Sequence, residues 1–446
     1  MLGRAAGSPI VRGGLAISAG LITGNLIGFF RVALTAYLLG THSAADALAV
    51  AVGPIDTLNS VLINTMIFAF VPMLTEREGA ARAAFFRKLS RVFVRVFGVL
   101  ALSIILFAPW LIHILAPGLD PDYVSTAIII LRISSVSSLA AGTAALYSAF
   151  LFTQRRFAAT AFHQASLNLF TIIGALVLWR VIGVYGFAIG YTAGAWAQLG
   201  IVFFAARTKL QAENAPEPDV HWRELLAKPG SFLVYAGLLA LNVIVTRAYA
   251  THAGTGMAAA LDYSMRCLNV PLAYLVNPVS NSLLPEIARL RSGRQLRRAF
   301  RLIDKTIALV ALLAVAGCVV GIALREPLIV LLFQRGSFTA ESTRLVSAVF
   351  LGFAPSLIGW SLLELTSRSL FALDRPRLPL LAVAIPVICN LGFVLLVRSP
   401  QPQWIGVGAS LGFLIAFVLL FTLVSMNRRR WLEEAAGDSQ PALETA

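Results

Sequence analysis

Along nearly its whole length the chain repeats one pattern, an apolar run closed by a short polar or basic loop. Each run is about 20 residues, long enough to cross a bilayer as a helix. Inside lipid the backbone must satisfy its own N–H and C=O groups segment by segment. That combination leaves one class of fold, an all-α polytopic membrane protein. About twelve transmembrane helices are expected, near residues 13–39, 46–72, 92–115, 124–152, 159–180, 182–206, 230–252, 256–285, 302–324, 343–371, 378–398 and 404–426. The runs are too many and too evenly spread for a signal peptide ahead of a soluble domain. Composition agrees: 58% of residues are hydrophobic and 13% charged, where a soluble domain is nearer half apolar and a quarter charged.

A net charge of +15 in isolation suggests nucleic acid. Its distribution argues against that partner, because the positive residues cluster in alternate short loops, as the positive-inside rule expects. The basic set includes Arg77, Arg82, Arg87 and Lys88, the dense "RLRSGRQLRRAFR" at 289–301, and "RRR" at 428–430. The opposite set, such as "THSAA" and "APGLDPD", is poor in Lys and Arg. The basic loops are therefore expected to face the cytoplasm, which puts both termini inside. The longest inner loop divides the spans six and six. The expected organisation is an N-terminal six-helix lobe at 1–206, a cytoplasmic linker at 207–229, a C-terminal six-helix lobe at 230–427 and a cytoplasmic tail at 428–446.

The two halves look related. "FVPMLTE…RAAFFRKLSRVFVRVFGVLA" from Phe70 has a counterpart in "LLPEIAR…QLRRAFRLIDKTIALVALLA" from Leu283. Pro72 and Pro285, Pro109 and Pro327, and Asn168 and Asn390 keep their order at a spacing of roughly 220 residues. An even number of spans per repeat makes the repeats parallel, related by an axis along the membrane normal. Transporters built this way rock two pseudo-symmetric lobes around a central cavity at the membrane midplane.

Against this apolar background a few charges stand out. "GNLIGFFRVALTAYLLG" at 24–40 reads as the middle of a span except at Arg31. Burying a guanidinium there costs roughly 2.5–3.5 kcal/mol on insertion scales, and such residues face a bundle interior or a wet cavity and mark substrate pathways. Candidate partners lie on the second span: Asp46, Asp56, Asn59 and Asn64. Asp46 can equally serve as an acid on a helix dipole. Arg247 and Arg266 fall inside the seventh and eighth spans, and Asn269 and Pro271 after Arg266 should break that helix. A planar guanidinium that never deprotonates suits bidentate phosphate binding, so Arg31, Arg266 and Arg247 are candidate phosphate ligands. Glu364 and Arg368, four apart on the tenth span, read as a local ion pair. The three cysteines and five histidines show no ligand spacing, so no metal and no cofactor are expected.

The sequence also resembles the MurJ/MviN lipid II flippases of the MOP (multidrug/oligosaccharidyl-lipid/polysaccharide) exporter superfamily. The resemblance rests on "GNLIGFFRVALTAYLLGTHSAADALAVA" followed by "AFVPMLTE", "QRRFAATAF" at 154–162, "LDYSMRCLNVPLAYL" at 261–275 with "LLPEIARL", and "LLFQRGSFTAEST" at 331–343. These stretches lie in family order from about residue 24 to 398. In that family, arginines of the first, second and eighth spans and an aspartate of the second line a central cavity. Arg31, Asp46 and Arg266 match those positions. Asn25 stands where a first-span arginine is usual, Val32 where an aspartate follows, and Leu58 or Asn59 where the second span carries arginine. The apolar runs end after the twelfth, where typical members have two more.

The resemblance implies a flippase that moves an undecaprenyl-diphosphate-linked saccharide, a lipid II-like peptidoglycan precursor, across the bacterial inner membrane by alternating access. The partners implied are the lipid-linked oligosaccharide diphosphate, the bilayer and other cell-envelope biosynthesis proteins. No covalent bond changes, so no enzyme activity is expected. The alternatives are a flippase for another exopolysaccharide or O-antigen repeat unit, a polytopic glycosyltransferase, and a MATE-like drug exporter. A glycosyltransferase needs acidic or His-rich motifs in sizeable loops, and a drug exporter needs cavity carboxylates.

Overall fold

The computed structural model describes residues 9–154, 156–211, 222–272, 276–293, 295–397 and 401–437. Part of the expected linker (212–221) and the end of the expected tail (438–446) lie outside the described residues. The described chain is almost entirely helical: α1 (Pro9–Leu39), α2 (Ser43–Thr75), α3 (Gly79–Leu115), α4 (Pro121–Thr153), α5 (Phe157–Ile182), α6 (Tyr185–Gln211) and α7 (Trp222–His252). It continues with α8 (Met257–Pro271), α9 (Asn277–Ser292), α10 (Leu296–Ala323), α11 (Arg325–Phe333), α12 (Ala340–Phe353), α13 (Ser356–Ala372), α14 (Arg377–Leu396) and α15 (Val407–Gly437).

Ten of these helices are long and apolar enough to cross a membrane, or eleven if α12 and α13 count as one span. That pair bends by 43°, and Pro355 at the break explains it, since proline removes a donor and pushes on the preceding turn. The remaining expected span, the eighth, is divided into α8 and α9. The α-helical geometry of the first piece ends at Pro271, Leu272 continues as a π turn, and the expected break after it, at 273–275, lies outside the described residues. Several hydroxyls within the spans bond back to their own helix: Thr35 donates to Arg31 O at 2.9 Å and Thr57 to Gly53 O at 2.9 Å. This i−4 back-bonding is the local solution where water is absent.

The helices gather into two compact units. The first comprises the residues up to Ala240 together with Gly254–Ala259 and Leu332–Ser342. Its core is an aromatic cluster of Phe70, Phe85, Phe86, Phe93, Phe97 and Phe150, contributed by α2, α3 and α4. A Cβ at Gly142 would lie 2.6 Å from the Phe97 ring, so α3 and α4 meet where α4 has no side chain. Leu332–Ser342 carries the "FQRGSFT" stretch. Its Ser337 N–H donates to Tyr37 O at 2.8 Å, and the hydroxyls of Ser342 and Thr41 lie 2.8 Å apart.

The second unit comprises Leu241–Ala253, Ala260–Leu331 and the residues from Thr343 onward. Here α15 runs on past the "RRR" at 428–430 as far as Gly437. Trp431, buried on that extension, stacks on Phe300 of α10 at 6.1 Å, and Arg428 donates to Asp304 at 2.7 Å.

The repeat expected from sequence is visible in matched contacts within each unit. In the first, the Asn168 side chain on α5 donates to the backbone carbonyl of Gly24 on α1 at 3.2 Å. In the second, Asn390 on α14 donates to the backbone carbonyl of Asn242 on α7 at 3.2 Å, and also reaches Thr246 at 2.8 Å. Gly190 and Gly194 let α6 approach α5, a Cβ at Gly194 falling 2.7 Å from Leu167 Cα. Gly408 and Gly412 play that part for α15 against α14, with 2.7 Å from Gly412 to Pro386 Cα. Small residues serve close helix packing in lipid, where van der Waals contact substitutes for a hydrophobic driving force.

Candidate anion-binding site

Arg31 lies on α1, eight residues before the helix ends, within its apolar stretch. Its neutralising partner is Asp56 on α2, with guanidinium Nη2 and carboxylate Oδ2 3.9 Å apart. The side chains are 20% and 44% exposed, so neither charge is sealed from solvent or ligand. At that separation Coulomb attraction is worth about 4 kcal/mol at an effective constant of 20, and less where solvent reaches the acid. That is comparable to the insertion cost of the arginine, which explains how the chain tolerates it. The gap exceeds hydrogen-bonding distance, and the guanidinium donates no hydrogen bond within the described residues. Its charge is balanced while its N–H fork remains available to an anion.

Asp56 is held from behind. Tyr191 of α6 is fully buried and donates its hydroxyl to Asp56 Oδ1 at 3.0 Å. Asn59, one turn along α2 from Asp56, is buried too. Its amide donates to the Tyr191 hydroxyl at 3.2 Å and to Ser137 Oγ of α4 at 3.0 Å. Asn59 therefore takes a supporting position behind the acid. Asn64 is exposed and turns back to Ser60 O at 2.9 Å. Asn25, half-buried on α1, is six residues from Arg31, which places it about 120° around the helix.

Asp46 is 4% exposed and caps a helix other than its own. Its two carboxylate oxygens accept from the backbone N–H groups of Gly256 at 2.5 Å and Ala259 at 2.9 Å, at the start of α8. Those amides have no intrahelical acceptor, and the positive end of the helix dipole adds to the attraction. Gly256 has φ +83°, and a Cβ there would lie 2.3 Å from Thr41 O, so only glycine fits this approach. Asp46 and Asp56 are ten residues apart on α2, about 15 Å along its axis. They serve different places.

In the second unit Arg247 is 5% exposed and donates through Nη2 to Asp262 of α8 at 2.5 Å. Among the described residues its Nε and Nη1 have no hydrogen-bond partner. Arg266 follows Asp262 by one turn and is half-buried. Glu364 and Arg368 form the expected local pair. Among the described residues no group of acidic, histidine and cysteine side chains is arranged to hold a metal ion.

Sequence reading missed two residues of consequence, Tyr191 and Asp262. A tyrosine in an apolar run carries no signal of its own. Asp262 had one: a membrane-embedded acid four residues before Arg266.

The family model described as lipid II flippase MurJ matches residues 35–437. A probable lipid II flippase MurJ of Rhizobium meliloti is 26% identical over 423 residues, covering 90% of this chain and 78% of the relative. The lipid II flippase MurJ of Burkholderia cenocepacia is 24% identical over 429 residues, covering 91% and 82%. Among solved structures, one described as lipid II flippase MurJ in an inward closed conformation superposes with a TM-score of 0.81 at 20% identity, over 92% of this chain and 87% of that one. An inward-facing multidrug resistance MATE transporter of the MOP superfamily matches with a TM-score of 0.75 at 11% identity, over 94% and 100%.

Proposed function

The chain belongs to the lipid II flippase MurJ family, and on that premise we propose that it translocates an undecaprenyl-diphosphate-linked saccharide of the lipid II type across the inner membrane by alternating access. The observation that carries this reading is Arg31: a guanidinium within a span, charge-balanced by Asp56 at 3.9 Å, with its N–H fork uncommitted. A planar fork matches two phosphate oxygens at once, where lysine offers a point charge. Arg31 and Arg266 are the arginines assigned to the cargo's diphosphate. Asp46 acts on helix structure by holding the start of α8, and Arg247 commits its Nη2 to Asp262. Depleting the protein tests the reading. Lipid-linked peptidoglycan precursor is expected to accumulate in the inner leaflet, measured by extraction and mass spectrometry. Accumulation of a different lipid-linked saccharide would reassign the cargo.

The orientation proposed is both termini in the cytoplasm, supported by the basic loops. Ser292, exposed at the end of α9 within the densest basic stretch, reports on it. A cysteine placed there is expected to resist an impermeant maleimide added to spheroplasts and to react once the membrane is opened. Strong labelling from outside would reverse the topology.

A further inference from the structure

We propose that Asp56 is a selectivity residue, a tethered carboxylate that keeps singly charged phospholipid headgroups off Arg31 and gives way to the cargo's diphosphate. The inference rests on Arg31 being the diphosphate ligand. Its basis is how the acid is mounted. A tyrosine hydroxyl has one proton, and the oxygen of Tyr191 already receives the Asn59 amide. The proton is therefore directed at Asp56 Oδ1, at 3.0 Å. Asn59 is itself fixed by Ser137. One carboxylate oxygen is thus anchored to a buried scaffold drawn from α2, α4 and α6, while the other lies toward Arg31.

A site that admits the headgroup of one lipid also meets phospholipid phosphodiesters, which are far more abundant and each carry one negative charge. Without a guard the guanidinium would be occupied by bulk lipid. A carboxylate fixed beside it acts at a high effective concentration. A phosphodiester of equal charge gains little by displacing it. A diphosphate carries more charge and presents oxygens on two phosphorus atoms to the fork, so it can win the exchange. Displacement leaves Asp56 bonded to Tyr191 and 44% exposed, so the freed acid is not stranded as a buried unpaired charge.

Asp56→Asn tests this, because the amide keeps an oxygen for Tyr191 and removes only the charge. Undecaprenyl diphosphate is titrated into the full-length protein in nanodiscs of phosphatidylcholine, whose phosphate is balanced by its own choline, or of phosphatidylglycerol, whose phosphate is not. The wild type is expected to bind within about twofold in the two lipids, and Asp56→Asn about tenfold more weakly in phosphatidylglycerol. Tyr191→Phe, which frees the carboxylate from its anchor, is expected to fall between them. An Asp56→Asn protein as indifferent to phosphatidylglycerol as the wild type overturns the selectivity role. Arg31→Ala in the same assay separates the two readings. If it binds the diphosphate as the wild type does, the assignment of Arg31 fails; if it binds weakly while Asp56→Asn is unaffected, only the selectivity role fails.

Discussion

Arg31→Ala is expected to abolish transport. Removing the fork from a site that holds a diphosphate forfeits charge-assisted, bidentate hydrogen bonds, and losses of this kind run to about 2–5 kcal/mol, at least about thirtyfold in affinity. A second effect adds to the first. With Arg31 gone, Asp56 remains fixed by Tyr191 and presents an unbalanced negative charge to an anionic cargo. The double variant Arg31→Ala/Asp56→Asn should therefore recover a little binding, without restoring transport. Arg31→Lys keeps the charge and loses the planar fork, so it should retain part of the activity. The measurements are growth when the variant is the sole copy at wild-type protein levels, and movement of fluorescent lipid-linked diphosphate across proteoliposomes. Full support of growth by the alanine variant would make Arg31 a structural charge.

Asp46→Ala should act on stability, with function lost as a consequence. Both oxygens of this buried carboxylate accept backbone N–H groups at the start of α8. Truncation leaves two buried donors without an acceptor, each costing about 1–3 kcal/mol, so a loss of about 3 kcal/mol is expected. In a chain of this size that corresponds to about 3 °C in melting temperature. Asp46→Asn keeps one acceptor oxygen and should recover part of the loss. Thermal unfolding of the purified protein in detergent reads both. A melting point unchanged in Asp46→Ala would show that water or other groups satisfy those amides.

Much of this molecule can be read without coordinates, and the reason is the solvent. A bilayer forces every crossing segment to be long, apolar and internally hydrogen-bonded, so span positions follow from composition along the chain. The bend of the tenth span at Pro355 went unread, because proline does not always break a helix: Pro54, Pro72, Pro109 and Pro386 sit inside continuous ones. The repeat was legible through Asn168 and Asn390, whose amides bind a neighbouring helix's backbone in the same way in each unit. The cost of a membrane-embedded guanidinium singled out Arg31 for the same reason.

The sequence by itself determined the fold class, the order of the spans, the internal repeat and the arginine that needs a partner. These depend on local chemistry and on the medium, and both can be read from neighbouring residues. Only the tertiary structure decided who meets whom. Four polar residues of the second span were candidates for Arg31, and the rotation of α2 against α1 selected Asp56. Asn59 became a support because Tyr191, 132 residues away, came to lie against it. Asp46 found its acceptor role at Gly256 and Ala259, more than two hundred residues downstream. Pairings of that kind depend on which faces of distant helices pack together, and each helix reveals its own apolar face without naming the partner that will cover it.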